Sequence, residues 1–506
     1  MTVHTDHPHP CFLALDAGTS AGRALVFDEC GRALARAIRP WHYQSPADSA
    51  PWGREFAPGE FWAALSSAAR EALDACGRTD VAAIAATGQR QATVLLDANG
   101  QELYAGPNLD LRACFEGMRL LREHGQRIHS ITGHLPPMMF ASARWLWFRQ
   151  HRPQLCHEAA HLLMMSDWLT WRLCGRAVTD ASNAAETGLF DVTRLEWSPA
   201  LLAELQVPID LLPEIVPSGA VAGELAPVAA EALGLRPGVP VVVAGADTSA
   251  GLLGMAVTEP GQLGIVAGWS APIQVMTDGP LFDQSRALWT TCSLLPGLWA
   301  LEGNPALAGA AHRWLRDLIL PGGSYDEFDE LASSVPPGSR EALALLGPRL
   351  ADYDNPQLLW GGLLLPLAND LLPVGRAEFA RAVLENIAYA IRANLERVEA
   401  VARARAASVS LGGGMARSRL FARILTDVLG RPVRVAALPS VSALGAAMCA
   451  ATGAGIYTNL ALAASAMTCK TSTYQPERAS QAEYLDAYER WLQMYRGLQT
   501  LSEQLM

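Results

Sequence analysis

Apolar runs that break at glycine recur at three distant points of the chain, LALDAGTSAGRALVFD (13–28), VVVAGADTSAGLLG (241–254) and VSLGGGMARSRLFARILTDVLG (409–430). In the first, strand-like runs at 12–16 and 23–28 flank a glycine-hydroxyl turn with Asp16 at its mouth. About seven residues, TSAGRAL, separate the runs, whereas a parallel crossover needs roughly a dozen or more, so the two strands pair antiparallel. That spacing excludes a dinucleotide-binding unit, even though Asp28 ends the second run as that unit requires. No glycine run fits the lysine phosphate loop G-x-x-x-x-G-K-[ST]. In the third segment the strand breaks at Gly412, Gly413 and Gly414 and a helical pattern follows at once, which leaves backbone amides for an anion or a ring.

The same pattern divides the chain near residue 245. Strands at 12–16, 23–28 and 33–39 open the first part, and strands at 241–246, 262–267 and 272–277 open the second, with VSL (409–411) and VRVAAL (433–438) after a helical stretch. This echo predicts a duplicated α/β domain, with units at 1–245 and 246–506. The small-residue helix at 442–453 is expected beside the Gly412 loop. A closing helix at about 480–501 carries an apolar stripe and is expected to pack back on the first domain.

Composition narrows the class. At 506 residues, 50% hydrophobic and 18% charged, the chain can bury substantial cores in more than one domain. Its most apolar windows contain Asp247, or Pro366 and Asp370, so none reads as a membrane span. MTVHTDHPHP lacks the basic start and apolar core of a signal peptide, and a cytoplasmic location is expected. A formal charge of −11 excludes a nucleic-acid partner that needs a basic face. Nine cysteines without a C-x-x-C pair read as buried thiols. Asp247 follows the strand VVVAGA and opens a helix-like run, a position suited to a carboxylate facing a cleft and equally to a plain N-cap.

Five further stretches lie between these segments in order: IAATGQRQATVLLDANG (84–100), SDWLTWRLCGRAVTDASNAAETGLFD (166–191), GQLGIVAGWSAPI (261–273), LEGNPALAGAAHRWL (301–315) and SALGAAMCAATGAGIY (442–457). Together the eight resemble the FGGY family of carbohydrate kinases from about Leu13 to the C-terminal helix. The resemblance implies an α/β fold of two actin-like, ribonuclease H-like ATPase domains around an interdomain cleft. It implies ATP and Mg2+ as the phosphoryl donor and its metal, a small ketose or polyol as acceptor, and a homodimer. Asp247 is then the catalytic base, and Asp16 the magnesium-side carboxylate. Gly18, Thr19, Ser20, Arg23, Gly268 and Ser270 would meet the phosphates, and Gly412, Gly413 and Arg417 the adenosine. Gln89, Arg90, Gln91 and Asp110 would meet the sugar, with Phe140 beside Met139 as an apolar wall; an ion pair of Asp110 with Arg112 at the surface is the other reading.

Several positions depart from the family pattern. Asn108 stands where a tryptophan is usual in W-x-D-x-R, Gln91 replaces an acid after Arg90, and Ser440 replaces an acid before the last small-residue helix. Trp269 interrupts a loop that commonly reads G-T-S, and the 364–391 segment is short of the usual arginine-glycine stretch. The 166–191 stretch and NLDLRA are similar to kinases of the signalling sugar autoinducer-2, and ketopentose kinases of the xylulose type share much of them. A non-catalytic sugar or nucleotide sensor on the same fold is the alternative, but binding alone needs no proton acceptor, and both Asp16 and Asp247 are present.

Overall fold

The computed structural model describes residues 9–352, 360–366, 374–438, 440–468 and 470–505, so part of the shortened 364–391 segment, at 367–373, lies outside the described residues. Two mixed sheets carry the fold, one of six strands and one of seven. In the first, Cys11–Ala17 pairs antiparallel with Ala21–Asp28, which pairs antiparallel with Ala33–Pro40. On its other edge Cys11–Ala17 runs parallel to Ala83–Gly88, which runs parallel to Pro240–Ala246, and Val221–Glu224 closes antiparallel. The second sheet repeats this plan. Leu263–Val266 pairs antiparallel with Ile273–Thr277 and that with Trp299–Gly303, while Val409–Gly412 and Val433–Ala436 add in parallel and Thr471–Tyr474 closes antiparallel. The expected echo is thus a repeated topology, with Trp289–Cys292 as an extra edge in the second copy.

The first hairpin is tighter than its spacing required, because only Gly18, Thr19 and Ser20 lie between the strands. Every residue of Cys11–Ala17 is buried. A strand covered on both faces reads as a continuous apolar run, and its alternate side chains enter two cores. Leu13 and Leu15 meet Phe61, Leu65 and Ala68 of the helix Pro58–Cys76, while Phe12 and Ala14 meet Ala443, Leu444 and Ala447 of the helix Val441–Gly453. The second cover therefore comes from the far end of the chain. The 441–453 helix also crosses Asp247–Gly254 so closely that a Cβ on Gly445 would lie 1.9 Å from the Ala250 carbonyl oxygen. Its alanines and glycines are what let it enter this gap.

The closing helix, Arg478–Leu505, does not pack on the first domain as its stripe was expected to do. It lies on Arg376–Ala402 and Arg419–Leu429 within the core of the second sheet. The physical reason is a polar register beneath the stripe. Trp491 Nε1 donates to Asn386 Oδ1 at 2.9 Å and to the Ala344 carbonyl at 3.1 Å, and Arg381 donates to the Tyr484 hydroxyl at 2.6 Å. Among the described residues eight cysteines are free thiols, and Cys30 is exposed, contrary to the expectation that all would be buried. No described helix is long and apolar enough to cross a membrane.

Trp491 is fully buried, so Trp491→Ala removes both the ring volume and two hydrogen bonds. The expected loss is about 3–5 kcal/mol, read as a lower urea midpoint for the second unit, with Trp491→Phe losing distinctly less.

Candidate active site

The parallel strands of both sheets end at a cleft of about 750 Å³, lined among others by Thr19, Arg90, Asn108, Asp247, Trp269 and Trp289. Ligands of open α/β sheets gather at such carboxyl ends. Asp247 is the first helical residue after the strand Pro240–Ala246. The turn before it is held from three sides: Gly245 takes a φ of +65°, Thr87 Oγ1 donates to the Gly245 carbonyl at 2.8 Å, and the Ala246 amide donates to Ser182 Oγ at 3.0 Å. Ser182 Oγ donates in turn to buried Asp180 at 2.9 Å. Asp247 itself is half-buried. Burial pushes its carboxyl up to about 7; the Arg90 charge opposes this and the charge of Asp16 adds to it.

Arg90 lies just beyond the strand Ala83–Gly88 and is buried. Its guanidinium forks onto Glu302 of the second sheet at 2.7 and 2.8 Å and reaches Glu186 Oε1 at 3.2 Å. It also sits 5.4 Å from the ring centroid of Trp289. Burial would lower the Arg90 pKa, but the charges of Glu302 and Glu186 outweigh it and hold the cation. Glu186, which burial alone would raise, is lowered by Arg90 and by its contact with His134. Gln91 donates to the other Glu186 oxygen.

The first turn is tied to the loop that carries Asn108. Tyr43 donates to the Thr19 carbonyl at 2.5 Å, Gln89 donates to Tyr43 at 3.1 Å and accepts the Asn108 amide at 3.2 Å, and Asn108 Nδ2 donates to Thr19 Oγ1 at 2.9 Å. Arg23 approaches Asp16 at 3.4 Å. Burial raises the Asp16 pKa, against the pull of Arg23. Gly268 and Ser270 face the cleft on the second sheet.

Five residues named from the sequence sit elsewhere than expected. Asp110 is fully buried and its carboxylate is engaged by the Arg54 amide at 2.9 Å, by Arg112 Nε at 2.7 Å and by the Tyr104 hydroxyl, which leaves no oxygen for a sugar. Its pair with Arg112 is buried rather than at the surface. Phe140 is also fully buried and packs against Trp289, so the apolar wall is made by Met138, Met139 and Trp289. Gly412 and Gly413 are closed against Ala267, whose amide donates to the Gly412 carbonyl at 2.8 Å. Gly414 and Arg417 are the exposed members of that loop. Gln89 is buried in the network above and does not line the cleft. Glu186, Glu302 and Asn304 were not singled out, because isolated polar residues in a strand or turn carry no periodic signal; only the quoted LEGN and AAET stretches contain them.

The chain matches two models, the N-terminal domain of the FGGY family of carbohydrate kinases over residues 11–254 and the C-terminal domain over 263–454. The Asp247–Gly254 helix thus falls with the first of them. An autoinducer-2 kinase of Klebsiella pneumoniae is 31% identical over 504 residues, covering 96% of this chain and 93% of that protein. One from Salmonella paratyphi B is 29% identical over 519 residues, covering 99% and 97%. The crystal structure of a xylulose kinase from Rhodospirillum rubrum superposes with a TM-score of 0.82 at 27% identity, over 97% of this chain and all of that one. The chain therefore belongs to the FGGY family of carbohydrate kinases, enzymes that phosphorylate a hydroxyl group of a sugar.

Proposed function

We propose that this sugar kinase phosphorylates a small ketose or polyol of the xylulose or autoinducer-2 type, with MgATP as donor and Asp247 as the base. The observation that carries the reading is a carboxyl poised at about 7 on the cleft floor. A general base works best when its pKa lies near the operating pH. Asp247 takes the proton of the attacking hydroxyl as its oxygen bonds to the terminal phosphorus and the bond to the departing diphosphate breaks. Polar groups of Asn108, Asn304 and Gln91 on one side and the faces of Met138, Met139 and Trp289 on the other suit a small polyhydroxylated chain. The names of the relatives point to the same acceptors.

Asp16 fits a magnesium ion that arrives with the nucleotide. Among the described residues no group of three His, Cys, Asp or Glu is placed to hold a metal without other donors, and magnesium bound to phosphates commonly keeps one or two carboxylates and several waters. When bound, the ion would neutralise charge on the phosphates. Trp269 lines the cleft without filling it, so it gives no ground for a sensor that has lost turnover.

A panel of ketopentoses, polyols and the autoinducer-2 precursor, assayed for sugar-dependent ADP release, tests the acceptor. Asp247→Asn is expected to lower turnover by about 10²–10⁴-fold with MgATP binding retained; an unchanged rate would sink the assigned role. The kcat/KM of the native enzyme should rise with pH to a plateau, its acid limb midpoint near the Asp247 value of about 7, and this limb should be missing in the variant's residual rate. Because the folded pKa lies above the ordinary value of 3.8, the stability from a protonated Asp247 is lost as pH rises through about 7. Without ligands Asp247→Asn should therefore melt higher than the native protein at pH 8, by a margin that narrows toward pH 5.

A further inference from the structure

Trp269 stands between Gly268 and Ser270 in the loop after the strand Leu263–Val266, and a cation lies over its ring. The helix Ala308–Ile319 starts against this loop, its Ala310 amide 3.4 Å from the Trp269 carbonyl. One turn on, Arg313 lays its guanidinium over the Trp269 ring, 5.1 Å from the centroid. Its Nη2 lies 3.5 Å from Ser20 Oγ in the first turn. Arg313 forms no ion pair with a carboxylate among the described residues. Arg23, the neighbouring cation of the first turn, is held by Asp16.

A guanidinium has five donors, and Arg313 spends one of them weakly on Ser20. Stacking on an indole fixes its plane while leaving its edge open. Arg313 thus links Ser20 of the first turn with Trp269 of the Gly268–Ser270 loop. If Asp247 takes the proton of the attacking hydroxyl, the transferred phosphorus must lie in the same region. A planar fork matches phosphate oxygens and carries the positive charge that a loop hydroxyl lacks.

We propose that Arg313, held on the ring of Trp269, binds the terminal phosphate of the nucleoside triphosphate and bridges the two halves through it. The inference rests on the MgATP-dependent reading above, and it makes Arg313 the group that distinguishes triphosphate from diphosphate. Trp269 is a positioning residue in this arrangement, acting through the guanidinium.

Calorimetric titration of ATP and ADP, each with Mg2+, into the native protein, Arg313→Gln, Arg313→Lys and Trp269→Ala tests this, with circular dichroism confirming that each variant is folded. The native protein should prefer ATP. Arg313→Gln should lose about tenfold to hundredfold in ATP affinity with ADP affinity little changed, Arg313→Lys should fall between, and Trp269→Ala should lose part of the preference. The same ATP-to-ADP ratio in native protein and Arg313→Gln, or no ATP preference in the native protein, would overturn the proposal. Loss of the ratio in a protein that shows no sugar-dependent turnover would support the phosphate contact while removing the kinase reading. Turnover that depends on Asp247 with an unmoved ratio would do the reverse.

Discussion

Arg90 holds the two halves of the molecule at one relative position, because its guanidinium, cut off from water, is satisfied only by carboxylates drawn from both. Glu186 comes from the first half and Glu302 from a strand of the second sheet. Ions taken out of water cost several kcal/mol each unless their geometry is good and their remaining lone pairs are filled. Both conditions hold here. The fork onto Glu302 is bidentate, and Gln274 and Asn304 donate to the same carboxylate at 2.9 and 3.2 Å. A sugar ligand expected from the sequence is thus first a tie between two sheets.

The tie also decides the chemistry beside it. Asp16, Asp247, Glu186 and Glu302 are set against the guanidinium groups of Arg90 and Arg23, an excess of negative charge. Arg90, though paired with its two glutamates, is still the strongest influence holding Asp247 ionised. Burial, helped by Asp16, prevails over it and raises the carboxyl of an ordinary aspartate to about 7.

Much of this was legible in the sequence, for reasons that can be named. The antiparallel opening hairpin followed from chain length alone, and the repeated topology from the recurrence of short strand runs. Asp16 and Asp247 were conspicuous because each ends an apolar run. What was not legible depended on partners distant in sequence. The stripe of the closing helix announces burial but not against which unit, and that choice is made by Asn386, Ala344 and Arg381 under Trp491 and Tyr484. Asp110 looked like a ligand because only the fold reveals that Arg54, Tyr104 and Arg112 converge on it. Gly412 and Gly413 looked open for the same reason, and Gly414 is the one with space around it.

The 441–453 helix gives these contacts a mechanical sense. It belongs by sequence to the second half, yet it covers one face of the first sheet and crosses the Asp247–Gly254 helix with backbone almost touching backbone. Close-packed interfaces of small residues allow little sliding, so the crossing fixes these two helices against each other. Asp247 opens one of them, and Arg90 is anchored to Glu302 near by. Arg313 reaches Ser20 from the helix Ala308–Ile319, which starts against the Gly268–Ser270 loop. Asp247 therefore sits at the closest contact between the two halves.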